Sequence, residues 1–277
     1  MKRSEMTAHI LARIDTQADD LRAQWKAVGT GTGTRHCALD GLLPEDVAMA
    51  VFGAFPHDSE GFLFRRSFRE SKRTSVSFDD HPFILADITF AMQNPEVAST
   101  LGEIVRMAGL EPDPHLYAGG LSMMFKDDFL NPHIDNSHEK TRSKYRRVNL
   151  LYYVSPDWQP DFGGNLELWD LGVTKPVTIE ARFNRLVLME TNKTSWHSVS
   201  PVVAKGPRCC VSNYYFSDQS PTGETYSHVT SFTGRPGQTV RRLAGTIDNL
   251  ARGFARQKLH MTRQTDKGYQ GALSERE

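Results

Sequence analysis

The spacing of apolar positions changes along the chain. Ile10, Leu11, Ile14, Leu21 and Trp25 recur at roughly helical spacing with charges between them, which predicts a helix over residues 7–27. Pro44, Glu45 and Asp46 suit the first turn of a second helix, carried on by the apolar run 47–55. Further helices are expected over 84–92 and 96–108. The stretch 56–80, polar and rich in Arg, Ser and Phe, has no assignable period. From His115 the pattern becomes short β-rich runs (115–125, 147–154, 165–169, 183–190, 195–203, 208–216) separated by Gly, Pro, Asn and Asp. Many short strands at this spacing point to a sandwich or jelly roll rather than a parallel sheet. Beyond Ser220, Val240, Leu243, Ala244, Ile247, Leu250, Ala251 and Phe254 fall on one helical face, which could dock on the sheet or serve a homodimer contact.

The expected class is therefore α+β, one catalytic domain over 1–277. Residues 1–114 would be mainly helical, 115–220 would form the jelly-roll core holding the site, and 221–277 would be a helical extension. At 277 residues with 39% hydrophobic content, the chain supports one sizeable core more readily than two.

Charge and cysteine content narrow the class further. Lys plus Arg equals Asp plus Glu at 33 each, so no basic excess favours general nucleic-acid binding. No run approaches the roughly 18 apolar residues of a membrane helix, and the N-terminus lacks the apolar segment of a signal peptide. Cys37, Cys209 and Cys210 form no disulfide framework, and neighbouring strand residues point to opposite faces, so a thiolate metal site is not expected. The expectation is a cytoplasmic protein without membrane or nucleic-acid partners.

Candidate chemistry begins at Asn131-Pro132-His133-Ile134-Asp135. Residues two apart on a strand share a face, so His133 and Asp135 can reach one metal. Two imidazoles and a carboxylate on one side of iron(II) form the facial triad of non-haem oxygenases, with positions left open for co-substrate and dioxygen. His197, in Ser195-Trp196-His197-Ser198, is the candidate third ligand. A His-x-Asp pair arises easily by chance, and a lone His is more often a surface or core residue. Arg208 adds weight: one strand after His197, its planar fork of donors suits a carboxylate.

Taken together, these motifs resemble the prolyl-hydroxylase-like branch of the iron(II)/2-oxoglutarate-dependent oxygenase superfamily. The resemblance covers residues 115–216. It runs through His133-x-Asp135, Arg147-Val-Asn-Leu-Leu-Tyr-Tyr-Val154, Asp161-Phe-Gly-Gly-Asn-Leu166-Glu-Leu-Trp169, Phe183 to Leu188, Trp196-His197-Ser-Val, and Arg208 to Phe216. Within the branch, the Pro-Asp-Trp loop before Gly163-Gly164 and the interval from His197 to Arg208 are similar to the ribosomal-protein prolyl hydroxylases. Those carry a second barrel domain, which is not expected within these 277 residues.

The resemblance implies a double-stranded β-helix, with His133, Asp135 and His197 as metal ligands. Arg208 and Tyr153 would hold the far carboxylate of 2-oxoglutarate, Leu151 and Leu166 would line its pocket, and Tyr214 would stand near the metal. The branch often has a tyrosine on the strand leading into His-x-Asp. Here Leu121-Ser-Met-Met-Phe125 fills that stretch, with Tyr117 further upstream, so contacts on that side do not carry over.

The implied reaction is hydroxylation of an amino-acid, prolyl-type or small-metabolite C–H bond by dioxygen. Succinate and carbon dioxide would be released, and ascorbate could be needed for activity. Asp135 favours hydroxylation, because halogenases of the superfamily lack that carboxylate. Desaturation, other oxidation of an anionic metabolite, and a non-catalytic 2-oxoglutarate- or oxygen-sensing role stay open. A cupin would be expected to show His-x-His and has no need of the arginine. Two basic segments, 64–73 and 139–147, could line the mouth and draw in an anionic or peptidyl substrate, or could simply be solvated loops.

Overall fold

A computed structural model describes residues 1–27, 32–113, 115–117 and 119–243. The helices are α1 (Arg3–Thr16), α2 (Ala18–Lys26), α3 (Glu45–Gly53), α4 (Phe83–Met92) and α5 (Pro95–Val105). The strands through the first half are β1 (His36–Asp40), β2 (Leu63–Arg66), β3 (Glu70–Ser75), β4 (Glu111–Pro112), β5 (Gly120–Met124) and β6 (Phe129–Ile134). They continue as β7 (Tyr145–Tyr153), β8 (Leu166–Trp169), β9 (Pro176–Ile179), β10 (Arg185–Glu190), β11 (His197–Val199), β12 (Arg208–Ser217) and β13 (Ser231–Phe232).

The strands join one curled antiparallel sheet in the order β1-β10-β7-β12-β5-β3-β6-β11-β8-β9. The turn of the curl falls at β3. Its C-terminal half pairs with β5 (Arg73 opposite Met123) and its N-terminal half with β6 (Glu70 opposite Leu130). The strands from β1 to β5 thus make a larger sheet and β6, β11, β8 and β9 a smaller one, enclosing an interior between them.

Strand alternation explains how the larger sheet serves two cores. On β7, Val148, Leu150 and Tyr152 turn outward and pack with the helices, while Leu151 and Tyr153 turn into the interior. On β10, Leu186 and Leu188 face the helices and Val187 and Met189 face inward; on β12, Cys209 and Val211 oppose Cys210 in the same way. The helical layer is equally determined by sequence. Met6, Ile10 and Ile14 recur every four residues on α1, and α4 is buried nearly all round because it lies between other helices and β12. Asn94 caps α5, its side chain accepting from the Glu96 amide at 2.8 Å, with Pro95 in the first turn.

The expected helices are present with shifted bounds, and the 7–27 helix is two helices broken at Gln17. The N-terminal part is less purely helical than expected, because β1, β2 and β3 all join the sheet. β9 and β13 were also not foreseen. The C-terminal apolar face falls mostly outside the described residues.

Candidate active site

Two irregularities in the ladders build the metal-facing surface. His133 lies opposite His197, and Leu130 opposite Val199, so three residues of β6 span what two of β11 span. This bulge lets both Leu130 and His133 serve the interior, which strict alternation would forbid. Asp135 comes one residue after β6 ends, where the chain has left the ladder. The second bulge is on β7, where Tyr215 pairs with Val148 but Phe216 with Arg146. Skipping Arg147 brings the Arg146 guanidinium round to Asp135.

His133, Asp135 and His197 converge, with their ligand atoms within 4.8 Å of one another. His133 Nε2 is 3.6 Å from Asp135 Oδ1, and His197 Nε2 is 3.6 Å from Asp135 Oδ2. Ligand atoms about 2.1 Å from one ion at right angles would stand about 3 Å apart, a small side-chain adjustment away. Each imidazole keeps its Nδ1 at 3.0 Å from a backbone carbonyl, Asn131 O for His133 and Ser195 O for His197. Those contacts place the proton on Nδ1 and leave the Nε2 lone pairs aimed at the shared point. Burial, with His197 alongside, pushes His133 down to about 3, so it is neutral near pH 7 as a ligand must be.

Burial alone would push the Asp135 carboxyl up. Arg146, then the two imidazoles and Asn149, outweigh it and hold the group below the ordinary carboxylate range. Arg146 Nη1 is 3.2 Å from Oδ2, and Asn149 Nδ2 donates to the same oxygen at 2.7 Å. Arg146 is itself fixed: its guanidinium lies 4.0 Å from the Tyr214 ring centre and donates to Asn136 Oδ1 at 3.1 Å. Phe232 stacks on His133 at 5.1 Å. Arg146, Asn149 and Phe232 were not singled out from sequence. Asn149 had a signal, since it shares strand parity with Leu151 and Tyr153 in an otherwise apolar run. Arg146 had none without knowledge of the bulge.

At the other end of the interior, Arg208 is buried. Its Nε donates to Gly164 O at 3.0 Å and its Nη1 approaches only the Met124 thioether at 3.9 Å. Among the described residues it has no carboxylate partner. The guanidinium lies 4.6 Å from the centre of the Tyr153 ring, whose hydroxyl is buried without a hydrogen-bond partner. Burial pushes that phenol upward and Arg208 offsets part of the shift. Leu151 and Leu166 pack in the same inner cluster. Gly163 and Gly164 both adopt positive φ, 73° and 68°, and a Cβ at Gly163 would sit 1.9 Å from Pro201 O. Only glycine lets this turn present its carbonyl to Arg208.

The donor sets fit their expected guests. Three neutral or anionic N and O donors on one side of a point suit iron(II). A buried guanidinium without a counter-ion, beside an unpartnered phenol, suits a carboxylate. The basic segment 139–147 is a different matter. Its Arg146 and Arg147 are buried, Lys144 is ion-paired with Glu111, and Glu139 accepts from Thr141, Ser143 and Lys144. That leaves Lys140 and Arg142 to the solvent, on a loop organised around its own carboxylate.

Comparison with known proteins agrees with this geometry. Residues 119–216 match the model of the 2OG-Fe(II) oxygenase superfamily. The matched stretch holds His133, Asp135, His197 and Arg208. Over 95 residues it is 32% identical to prolyl 3-hydroxylase OGFOD1 of Xenopus laevis, and over 87 residues 30% identical to the Mus musculus protein. These matches cover 31% and 29% of this chain but only 19% and 16% of those relatives. The chain also shares its fold with a Pseudomonas putida prolyl-4-hydroxylase (TM-score 0.54, 16% identity, 70% of this chain and 97% of that one). A Trichoplax adhaerens prolyl hydroxylase, solved with a hypoxia inducible factor peptide fragment, superposes with TM-score 0.51 at 17% identity over 76% of this chain and 96% of its own. No described helix is long and apolar enough to cross a membrane.

Proposed function

We propose that the chain is an iron(II)- and 2-oxoglutarate-dependent dioxygenase that hydroxylates an unactivated C–H bond of a prolyl-type or other amino-acid residue, or of a small metabolite. His133, Asp135 and His197 would hold the iron, and Arg208 with Tyr153 would hold the far carboxylate of 2-oxoglutarate between Leu151 and Leu166. The observation that carries this reading is the buried, uncompensated Arg208 in the same interior as the triad. A metal site alone needs no such cation. An isolated buried charge costs several kcal/mol unless a partner arrives, so the cavity is built for an anionic guest.

When bound, the iron would supply activation of dioxygen coupled to decarboxylation of the co-substrate, with succinate and carbon dioxide leaving. The chain's own residues do the rest. The backbone carbonyls of Asn131 and Ser195 orient the imidazoles, and Arg146 and Asn149 load Asp135 Oδ2, which leaves Oδ1 as its less encumbered donor. Met124 and Val202, in the apolar cluster that includes Tyr153, lie against the arginine end. Asp135 occupies the position a halide would need, which favours hydroxylation. The Trichoplax neighbour's peptide complex supports a peptidyl substrate.

The test is anaerobic addition of iron(II) and 2-oxoglutarate, followed by air. The reading expects a visible absorption band from the chelate and succinate release, both absent in His133→Ala. Wild type indistinguishable from that variant would contradict it. A chelate band without succinate in the presence of peptide and metabolite pools would favour the sensing alternative.

A further inference from the structure

The mechanism above leaves unused the hairpin of β2 and β3, whose basic segment 64–73 was expected either to line the mouth of the site or to be a solvated loop. β2 pairs only with β3, so its other edge is open among the described residues. Leu63 is 58% exposed and Phe64 45%, side by side on that edge, and Arg66 is exposed with no ion-pair partner among the described residues. Residues 63–73 hold five cations (Arg65, Arg66, Arg69, Lys72, Arg73) against one carboxylate, Glu70, which Lys72 pairs at 3.2 Å.

This edge is preformed. Asp128 accepts from Ser71 Oγ at 2.5 Å, Arg73 Nη1 at 2.6 Å and the Phe125 amide at 2.9 Å. Arg73 is held against the Phe64 and Phe125 rings at 4.4 and 4.6 Å. The tip is tied down as well, because Asn131 donates its amide to Arg69 O and its side chain to Phe68 O. Arg69 reaches the rings of Phe68 and Phe232, and Phe232 stacks on His133. The hairpin therefore runs from an open edge to the wall of the metal centre.

We infer that β2 is the docking edge for an extended acidic segment of a peptidyl substrate, which joins the sheet as an added strand and is led by the hairpin tip to the metal centre. The inference rests on the proposed function and names its substrate class. On β2, Leu63 and Arg65 share one face, and Phe64 and Arg66 the other, so an added strand meets one apolar and one cationic neighbour on each side. At about 3.3 Å per residue the added strand reaches the tip within a few residues. Cations alone would be explained as protection of an edge against aggregation. That leaves unexplained why two large apolar side chains stand exposed on the same edge. Self-pairing of two copies in the fully overlapped antiparallel register would set Leu63 opposite Arg66 and Phe64 opposite Arg65. Arg65 and Arg66 of the two copies would then come together diagonally without a carboxylate between them, whereas an acidic strand supplies one.

The probe is a fluorescein-labelled peptide of Val-Val-Glu-Glu repeats ending in proline, with a twin carrying Lys for Glu and a twin N-methylated at every valine. Anisotropy with the full chain should show salt-sensitive binding of the acidic peptide and at least about tenfold weaker binding of both twins. Arg66→Glu should weaken it by about fivefold, and Phe64→Thr should weaken it measurably, with cobalt(II) affinity unchanged in both. Equal binding of either twin, no binding of the acidic peptide, or no effect of Arg66→Glu would overturn the inference. So would a dimer that Arg66→Glu dissolves while the peptide stays unbound. A chain that binds the peptides as expected but takes no cobalt(II) would contradict the proposed function and leave the docking edge standing.

Discussion

At the metal end of the interior the ligands are held by fixed partners: backbone carbonyls on both imidazoles, Arg146 and Asn149 on the carboxylate. At the arginine end, a few strands away, a buried guanidinium has no carboxylate partner among the described residues and a buried phenol hydroxyl has no hydrogen-bond partner. The first end orients groups for a guest that needs geometry. The second keeps a charge imbalance for a guest that needs affinity. Substitutions should therefore act differently at the two ends, through positioning at one and through charge at the other.

The sharpest break is Arg208→Met. Binding of 2-oxoglutarate, followed calorimetrically with cobalt(II) in the site, should fall by at least about a hundredfold. Thermal stability of the guest-free protein should hold or rise, because a buried unpaired cation has been removed. A large loss of stability would mean that Arg208 is already compensated, and the contrast would fail.

Arg146→Met tests the opposite end. It leaves the Asp135 carboxylate buried with its cation gone, so metal affinity should fall by about ten- to a hundredfold, and the metal-free protein should lose stability as well. Unchanged metal affinity would reduce Arg146 to a packing residue.

The metal-free protein should also show a pH signature. His133 is held down to about 3 in the folded state, against its ordinary value of about 6.5. Between those values the unfolded chain binds a proton that the folded one refuses, so stability falls as pH drops from about 6.5 towards 3, by up to about 1.4 kcal/mol per pH unit from this group. His133→Ala should flatten that slope by one proton, measured by denaturant unfolding at several pH values. An unaltered slope would show that the imidazole titrates normally.

The smallest effect is expected for Tyr153→Phe. Removing one hydroxyl should weaken 2-oxoglutarate by about threefold to tenfold while leaving metal affinity unchanged. Equal losses of both would mean the phenol supports the strand rather than the guest.

The sequence was most legible where β-strand periodicity is regular. The inward and outward alternation on β7, β10 and β12 follows directly from their apolar patterns, and His197 and Arg208 lie on strands anticipated from composition, whereas β6, which carries His133, was not among those runs. It was least legible where a ladder slips. The bulge on β6 and the bulge at Arg147 each shift side chains to the other face; the first carries Pro132 at the slip, and the second has no Gly or Pro to mark it. Arg146 therefore read as part of a basic loop although it supports Asp135. The 56–80 stretch was unreadable for another reason: β2 and β3 are edge and corner strands with polar faces, so they lack the apolar alternation by which a strand is recognised.

The central claim is that one interior holds a metal and a carboxylate guest together. The most direct measurement is anaerobic titration of 2-oxoglutarate into the iron(II)-loaded chain, following the visible absorption of the chelate in wild type, His133→Ala and Arg208→Met. The account predicts a saturable band in wild type, none in His133→Ala, and in Arg208→Met a band that appears only at far higher 2-oxoglutarate. A band of equal affinity in Arg208→Met, or none in wild type with iron bound, would contradict it.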